Sequence, residues 1–256
     1  MSDAVQAGWD RLKALPKPTL EALFAADAGR VGRLSGAIEL PGGLIRFDWS
    51  KTHLDAAHLD AFVALAEATG FAGHRRALFE GEVVNPTEHR AAEHPAQRGL
   101  GKEESVEEAA ALHARMHVLT EAIHQGALGE VRHLIHIGIG GSALGPALAV
   151  DALARDGAMV DVHVVSNIDG CALEAAFEKC DPATTLIAVA SKTFTTTETI
   201  TNAASALAWL RENGVADPYG RVVALTAAPD KAVEWGVDET RVLPFSETVG
   251  GRYSLW

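Results

Sequence analysis

From residue 132 to residue 244 the chain repeats one pattern: a short apolar run, a turn rich in small polar residues, then a longer stretch with helical spacing. Strand signals fall at 132–139, 160–166, 185–190, 221–226 and 241–244, and helical signals between them at 143–155, 171–179, 196–213 and 229–235. Several of the strand runs are apolar on both faces, as in Leu186-Ile187-Ala188-Val189-Ala190. A strand apolar on both sides must be covered on both sides, and a helix between successive strands makes the pairing parallel. The expectation is therefore an α/β fold: a three-layer αβα, doubly wound, parallel five-stranded sheet with flavodoxin-like strand order 2-1-3-4-5.

Before residue 105 the pattern is mixed. Helical spacing appears at 1–15, 20–30, 55–69 and 71–80, and a hairpin is expected around Pro41-Gly42-Gly43 with strands at 36–40 and 44–48. Residues 85–101 are polar, and Pro86 and Pro95 discourage regular structure there. Ser105 and Glu108 read as a capping box opening a helix to about Gln125. The division implied is a mostly helical N-terminal region, 1–104, part of a larger domain, followed by a doubly wound domain, 105–256.

The segment with the clearest chemistry is Ser191-Lys192-Thr193-Phe194-Thr195-Thr196-Thr197-Glu198-Thr199. It sets one ammonium and six hydroxyls at a strand-to-helix turn. The start of a helix has free N–H groups and partial positive charge, so added hydroxyls and a lysine make an oxyanion cradle. Thr195 and Glu198 also satisfy the pattern of a capping box. The first strand of the repeat ends in Gly138-Ile139-Gly140-Gly141-Ser142-Ala143. Gly138, Gly140 and Ala143 fit a dinucleotide fingerprint, with Asp169 near the position of a ribose-binding acid. A tight strand–helix turn explains the same glycines. In the expected strand order the first and third strands are neighbours, about 4.8 Å apart, so both hydroxyl-rich loops face one small anion. That suits a phosphate monoester better than a dinucleotide. A third turn, Gly250-Gly251-Arg252, follows the last strand and brings a guanidinium toward the same ligand.

Composition sets the remaining bounds. The 256 residues are 48% hydrophobic and 22% charged, with net charge −12. Such a chain has no general attraction to nucleic acid or to anionic membrane, and an anion must be held by local donors. No apolar run is long enough to span a bilayer, and residues 1–18 lack the apolar segment of a signal peptide. Cys171 and Cys180 flank one helix, about 13 Å apart at ~1.5 Å rise per residue, too far for a disulfide. Reduced, inert thiols and a cytoplasmic home are expected. His113 and His117 have metal spacing, but no third ligand is evident, and with His124 they read as a solvated helix face. The chain stops at a tryptophan straight after a Gly-Gly turn, which suggests a piece of a longer protein.

These segments together resemble the phosphoglucose isomerase family. The resemblance rests on 137–146 (Ile-Gly-Ile-Gly-Gly-Ser-Ala-Leu-Gly-Pro), Ser191 to Thr196, and Gly250-Gly251-Arg252-Tyr253-Ser254-Leu255-Trp256, with Asn85 to Ala91 and Phe47 to Lys51 in support. It implies a sugar-isomerase (SIS) domain at 105–256 that binds glucose 6-phosphate or fructose 6-phosphate and works without metal or organic cofactor. It implies that Ser142, Ser191, Lys192, Thr193 and Thr196 hold the substrate phosphate, that Gly141 lines the sugar site, and that Arg252 stabilises an enediolate; Thr195 and Gly251 are counted with the substrate-binding residues. The family's base glutamate, ring-opening histidine and late lysine fall beyond the signature that ends this chain. Glu198 and Glu247 do not replace them, so the chain alone is expected to be inactive. Family members are dimers that share a histidine across the interface. A free-standing sugar-phosphate-binding module and, less readily, an NAD(P)-dependent oxidoreductase are the competing expectations.

Overall fold

The computed structural model describes residues 2–251. The chain divides into two compact units, Met1–Arg76 and Ala77–Trp256.

The first unit begins with α1 (Asp3–Ala14), whose N-cap Ser2 accepts a hydrogen bond from the Val5 amide. The expected helix over 20–30 is two pieces, α2 (Leu20–Ala26) and α3 (Arg30–Arg33), because Asp27 at the first C-cap is extended and Gly29 caps the second. The hairpin forms as β1 (Ser35–Leu40) and β2 (Gly43–Asp48), paired antiparallel with Ile38 opposite Ile45. Helix α4 (Ala56–Ala68) opens at its N-cap Asp55 and packs on α1, where Gly8 lets Leu65 approach closely. Arg30 is the stitch of this unit. Its buried guanidinium donates to the carbonyls of Ser50, Thr52 and Leu54 at 2.6, 2.8 and 3.1 Å, so its charge is neutralised by backbone dipoles instead of water. Helix α5 (Phe71–Phe79) runs across the division.

The second unit opens with a small antiparallel pair, β3 (Val83–Asn85) and β4 (Arg90–Ala91), followed by a 3₁₀ turn at His94–Arg98. The prolines thus allow two short elements where irregular chain was expected. Helix α6 (Glu103–His124) starts two residues before the anticipated capping box, at N-cap Lys102. Ser105 therefore lies inside the helix, and its hydroxyl donates to the Glu93 carboxylate at 2.7 Å instead of capping.

The doubly wound sheet is as read from the repeat. β5 (His133–Gly138), β6 (Asp161–Val165), β7 (Thr185–Ala190), β8 (Val222–Thr226) and β9 (Val242–Pro244) form one sheet in the spatial order β6-β5-β7-β8-β9, every pairing parallel. Numbering these strands by chain order gives 2-1-3-4-5. Helices α7 (Gly141–Leu153), α8 (Gly170–Phe177), α9 (Thr197–Glu212) and α10 (Pro229–Trp235) make the crossovers. Every residue of the central β7 is buried. Ile187 and Val189 join Ile135, Ile137, Val222 and Ala224 in a core closed by Ala203, Leu207 and Leu210 of α9. Among the described residues no helix is long and apolar enough to cross a membrane.

Candidate functional site

The site is built where β5, β7 and β8 end. Gly138 pairs with Ala190, and Ala190 with Leu225, so the connections that follow leave the sheet side by side. After β5 the backbone turns through Gly140 (φ +56°) into α7. A Cβ at Gly138 would lie 2.5 Å from the Ser142 carbonyl oxygen, so only glycine lets the helix start this close to its strand. His136, on the same strand, donates from Nε2 to that carbonyl at 2.7 Å, which fixes its tautomer and holds the first turn of α7 in place. Burial pushes the pKa of His136 down, with the Ser142 hydrogen bond opposing.

After β7, the Ser191 amide donates to the Leu225 carbonyl at 3.0 Å. The Lys192 carbonyl accepts from the Ala227 amide at 2.9 Å and from the Thr226 hydroxyl at 3.2 Å. The loop is thereby tied to the end of β8. Phe194 takes a left-handed conformation (φ +52°) that a bulky residue rarely adopts, and its buried ring meets Trp235 edge-on, centroids 5.9 Å apart. Ring burial offsets the backbone strain and sets the direction of the hydroxyls on either side.

After β9 the chain folds back. The Phe245 amide bonds to the Thr226 carbonyl at 3.1 Å, and the loop returns until Gly251 lies against Gly141. A Cβ on Gly141 would sit 2.4–2.7 Å from the Gly251 backbone. Gly250 comes within reach of the Lys192 side chain. Lys192 Nζ donates to the Glu247 carbonyl at 2.5 Å, and Arg90 donates to the same oxygen at 2.9 Å. His94 Nε2 lies 3.2 Å from both the amide nitrogen and the carbonyl oxygen of Gly250, accepting from one or donating to the other according to its tautomer. Burial first, then Arg90, lowers the Lys192 pKa, while Glu88 and Glu247 oppose.

These turns enclose a cavity of about 180 Å³ lined by Gly141, Ser142, Lys192 and Gly251 together with His136, Phe245 and the neighbouring apolar groups. Four of the residues singled out from sequence therefore meet in one hollow. The other four described ones, Ser191, Thr193, Thr195 and Thr196, stand beside it on the Lys192 loop without lining it. Ser191 is buried with its hydroxyl 3.2 Å from that of Thr196, and the exposed Thr193 and Thr195 share a 2.7 Å hydrogen bond. Thr195 is thus not half of a capping box. Helix α9 starts one residue later, at N-cap Thr196, with no side-chain cap. Arg252 lies outside the described residues.

Asp169 is the N-cap of α8, its carboxylate accepting from the Cys171 amide at 2.9 Å. Glu198 and Glu247 are both exposed, as are His113, His117 and His124. Sequence reasoning missed His136, Phe245 and His94. The 85–91 segment carried a signal of kinship, but nothing in it said that the chain just beyond would brace the Gly250 turn.

The family model for phosphoglucose isomerase matches residues 48–256. A glucose-6-phosphate isomerase of Novosphingobium aromaticivorans is 76% identical over 248 residues, which is 97% of this chain and 49% of that protein. One of Erythrobacter litoralis is 66% identical over 264 residues, covering 100% of this chain and 51% of the relative. The chain spans about half the length of the curated relatives it matches. The crystal structure of a glucose-6-phosphate isomerase from Chlamydia trachomatis shares the fold, with TM-score 0.77 and 23% identity over 99% of this chain and 49% of that one. On the matched length and the identity to these relatives, the chain belongs to the phosphoglucose isomerase family.

Proposed function

We propose that this chain carries the phosphate-binding part of a glucose-6-phosphate isomerase active site, interconverting glucose 6-phosphate and fructose 6-phosphate through an enediolate. The observation that supports it most is the meeting of Ser142 and Lys192 in one cavity roofed by Gly250 and Gly251. The helices α7 and α9 start on either side, and their free N–H groups favour a dianion at that point. Lys192 contributes full charge and Ser142 a short hydroxyl donor from the cavity wall, and the hydroxyls of Ser191, Thr193, Thr195 and Thr196 stand on the loop beside it. Loss of the Lys192 contact to the Glu247 carbonyl frees its ammonium for the ligand. Gly141 and Gly251, without side chains, leave room for the sugar.

Isomerisation moves a proton between adjacent carbons. A carboxylate removes it beside the carbonyl, and a cation holds the oxygen that becomes negative. Arg252 is the cation in this reading. The base, the ring-opening histidine and a late lysine are assigned to the remainder of the protein, so phosphate binding and proton transfer are divided along the chain. The clamp contributes orientation to the reaction, through a part of the substrate that does not react. The SIS domain is assigned to 105–256, the working assembly to a homodimer, and the location to the cytoplasm.

Equilibrium binding of 6-phosphogluconate tests the proposal. Lys192→Ala and Ser142→Ala should each weaken it roughly tenfold or more, the effect of deleting a hydrogen bond to a charged group, while NADH fluorescence stays unchanged on mixing. Undiminished affinity in both variants overturns the phosphate assignment. Full isomerase activity from these 256 residues overturns the division of labour.

A further inference from the structure

A second cluster lies at the opposite end of the sheet. His133 is the first residue of β5 and pairs with Asp161, while His163 on β6 pairs with Ile135. Side chains two residues apart along a strand share a face, so the two imidazoles stand diagonally on one side of the sheet. Cys180 follows α8 and turns back toward them. One ring nitrogen from each histidine and the Cys180 sulfur lie within 4.8 Å of one another. His133 Nδ1 and His163 Nε2 are shielded from solvent with no hydrogen-bond partner. Buried polar atoms are nearly always satisfied, and two such atoms converging beside a thiol mark a place suited to a cation.

We propose that His133, His163 and Cys180 form a zinc-binding site that ties β5, β6 and the α8–β7 connection together. Two imidazole nitrogens and a thiolate are the donor set of a borderline-soft ion. Zinc places nitrogen ligands at about 2.0–2.1 Å and sulfur at about 2.3 Å, so the donors must close to ~3.5 Å, within reach of small side-chain rotations. Asp161 supplies the negative charge nearest the cluster and Lys179 the opposing positive one. Three protein donors leave the fourth position of a tetrahedral zinc to water. Five residues of β5, roughly 17 Å at ~3.3 Å each, separate His133 from Gly138, so this site is distinct from the phosphate cavity.

The test uses the whole chain, freed of metal by a chelator. Calorimetric titration with Zn²⁺ should give one site per chain. Co²⁺ in its place should produce a thiolate-to-cobalt absorption band in the near ultraviolet. Cys180→Ser should abolish the band and weaken Zn²⁺ by about a hundredfold, as should His163→Gln for affinity. Cys171→Ser and the paired His113→Ala, His117→Ala change should leave both measurements as they were. Circular dichroism establishes that each variant is folded. Absence of a cobalt–thiolate band in the unaltered protein overturns the proposal, as does Zn²⁺ uptake that depends on His113 and His117 and ignores Cys180. Either result leaves sugar-phosphate binding untouched, because the Lys192 cavity shares no residue with the cluster.

Discussion

Single residues at the cavity show how little of a site is its polar inventory. Lys192 was visible from sequence because hydroxyls and a lysine crowded onto a strand-to-helix turn suit an anion, and Ser142 because a glycine turn at the end of the neighbouring strand lets a ligand approach. His136 was not. In the sequence it is one more residue of an apolar strand, and only its register beside α7 reveals that it holds the Ser142 carbonyl. The burial of its ring has a consequence for acid stability. Burial keeps the His136 pKa below the ordinary histidine value near 6.5, so below that pH the unfolded chain takes up a proton that the folded one resists. Stability is therefore full above pH 6.5 and falls as the pH drops through the window down to the lowered value. Urea unfolding at pH 7 and pH 5 should show the loss in the unaltered protein, and His136→Gln, which cannot titrate, should lose less over the same interval. An equal loss in both proteins would remove His136 from the account.

At the scale of elements, the parallel direction of the five strands followed from alternation and two-faced apolarity, because such runs must be covered on both faces; their order, 2-1-3-4-5, is one of the doubly wound arrangements that pattern permits. Helix starts were less legible. The capping boxes at Ser105 and Thr195 failed for one reason: each hydroxyl found a tertiary or neighbouring partner, Glu93 and Thr193 respectively, and the helices began elsewhere. The zinc cluster was invisible for the opposite reason. His133, His163 and Cys180 lie on separate elements with no regular spacing; strand pairing brings the two histidines together, and the chain after α8 returns Cys180 to them. Packing between α9 and β7 is the backbone of the unit, and Leu210 is fully buried within it. Leu210→Ala should cost about 2–5 kcal/mol by chemical denaturation, with no change in the denaturant dependence. A cost under ~1 kcal/mol would mean that the core collapses around the gap.

For the molecule as a whole, a net charge of −12 surrounds a small basic hollow. Global repulsion of a dianion and local attraction by Lys192 are both screened by salt, with opposite effects on binding. The affinity for 6-phosphogluconate should accordingly change only a few-fold between low and physiological ionic strength. A steep decline, as polyelectrolyte binders show, would point to a much broader basic surface. The contact between Gly141 and Gly251 joins the first crossover of the sheet to the chain just after the last. Everything from β6 to β9 must be laid down before the two can touch. On the ribosome, the emerging polypeptide passes through every earlier stage with no pocket to offer. Its ligand cannot template the process and can only stabilise a finished sheet.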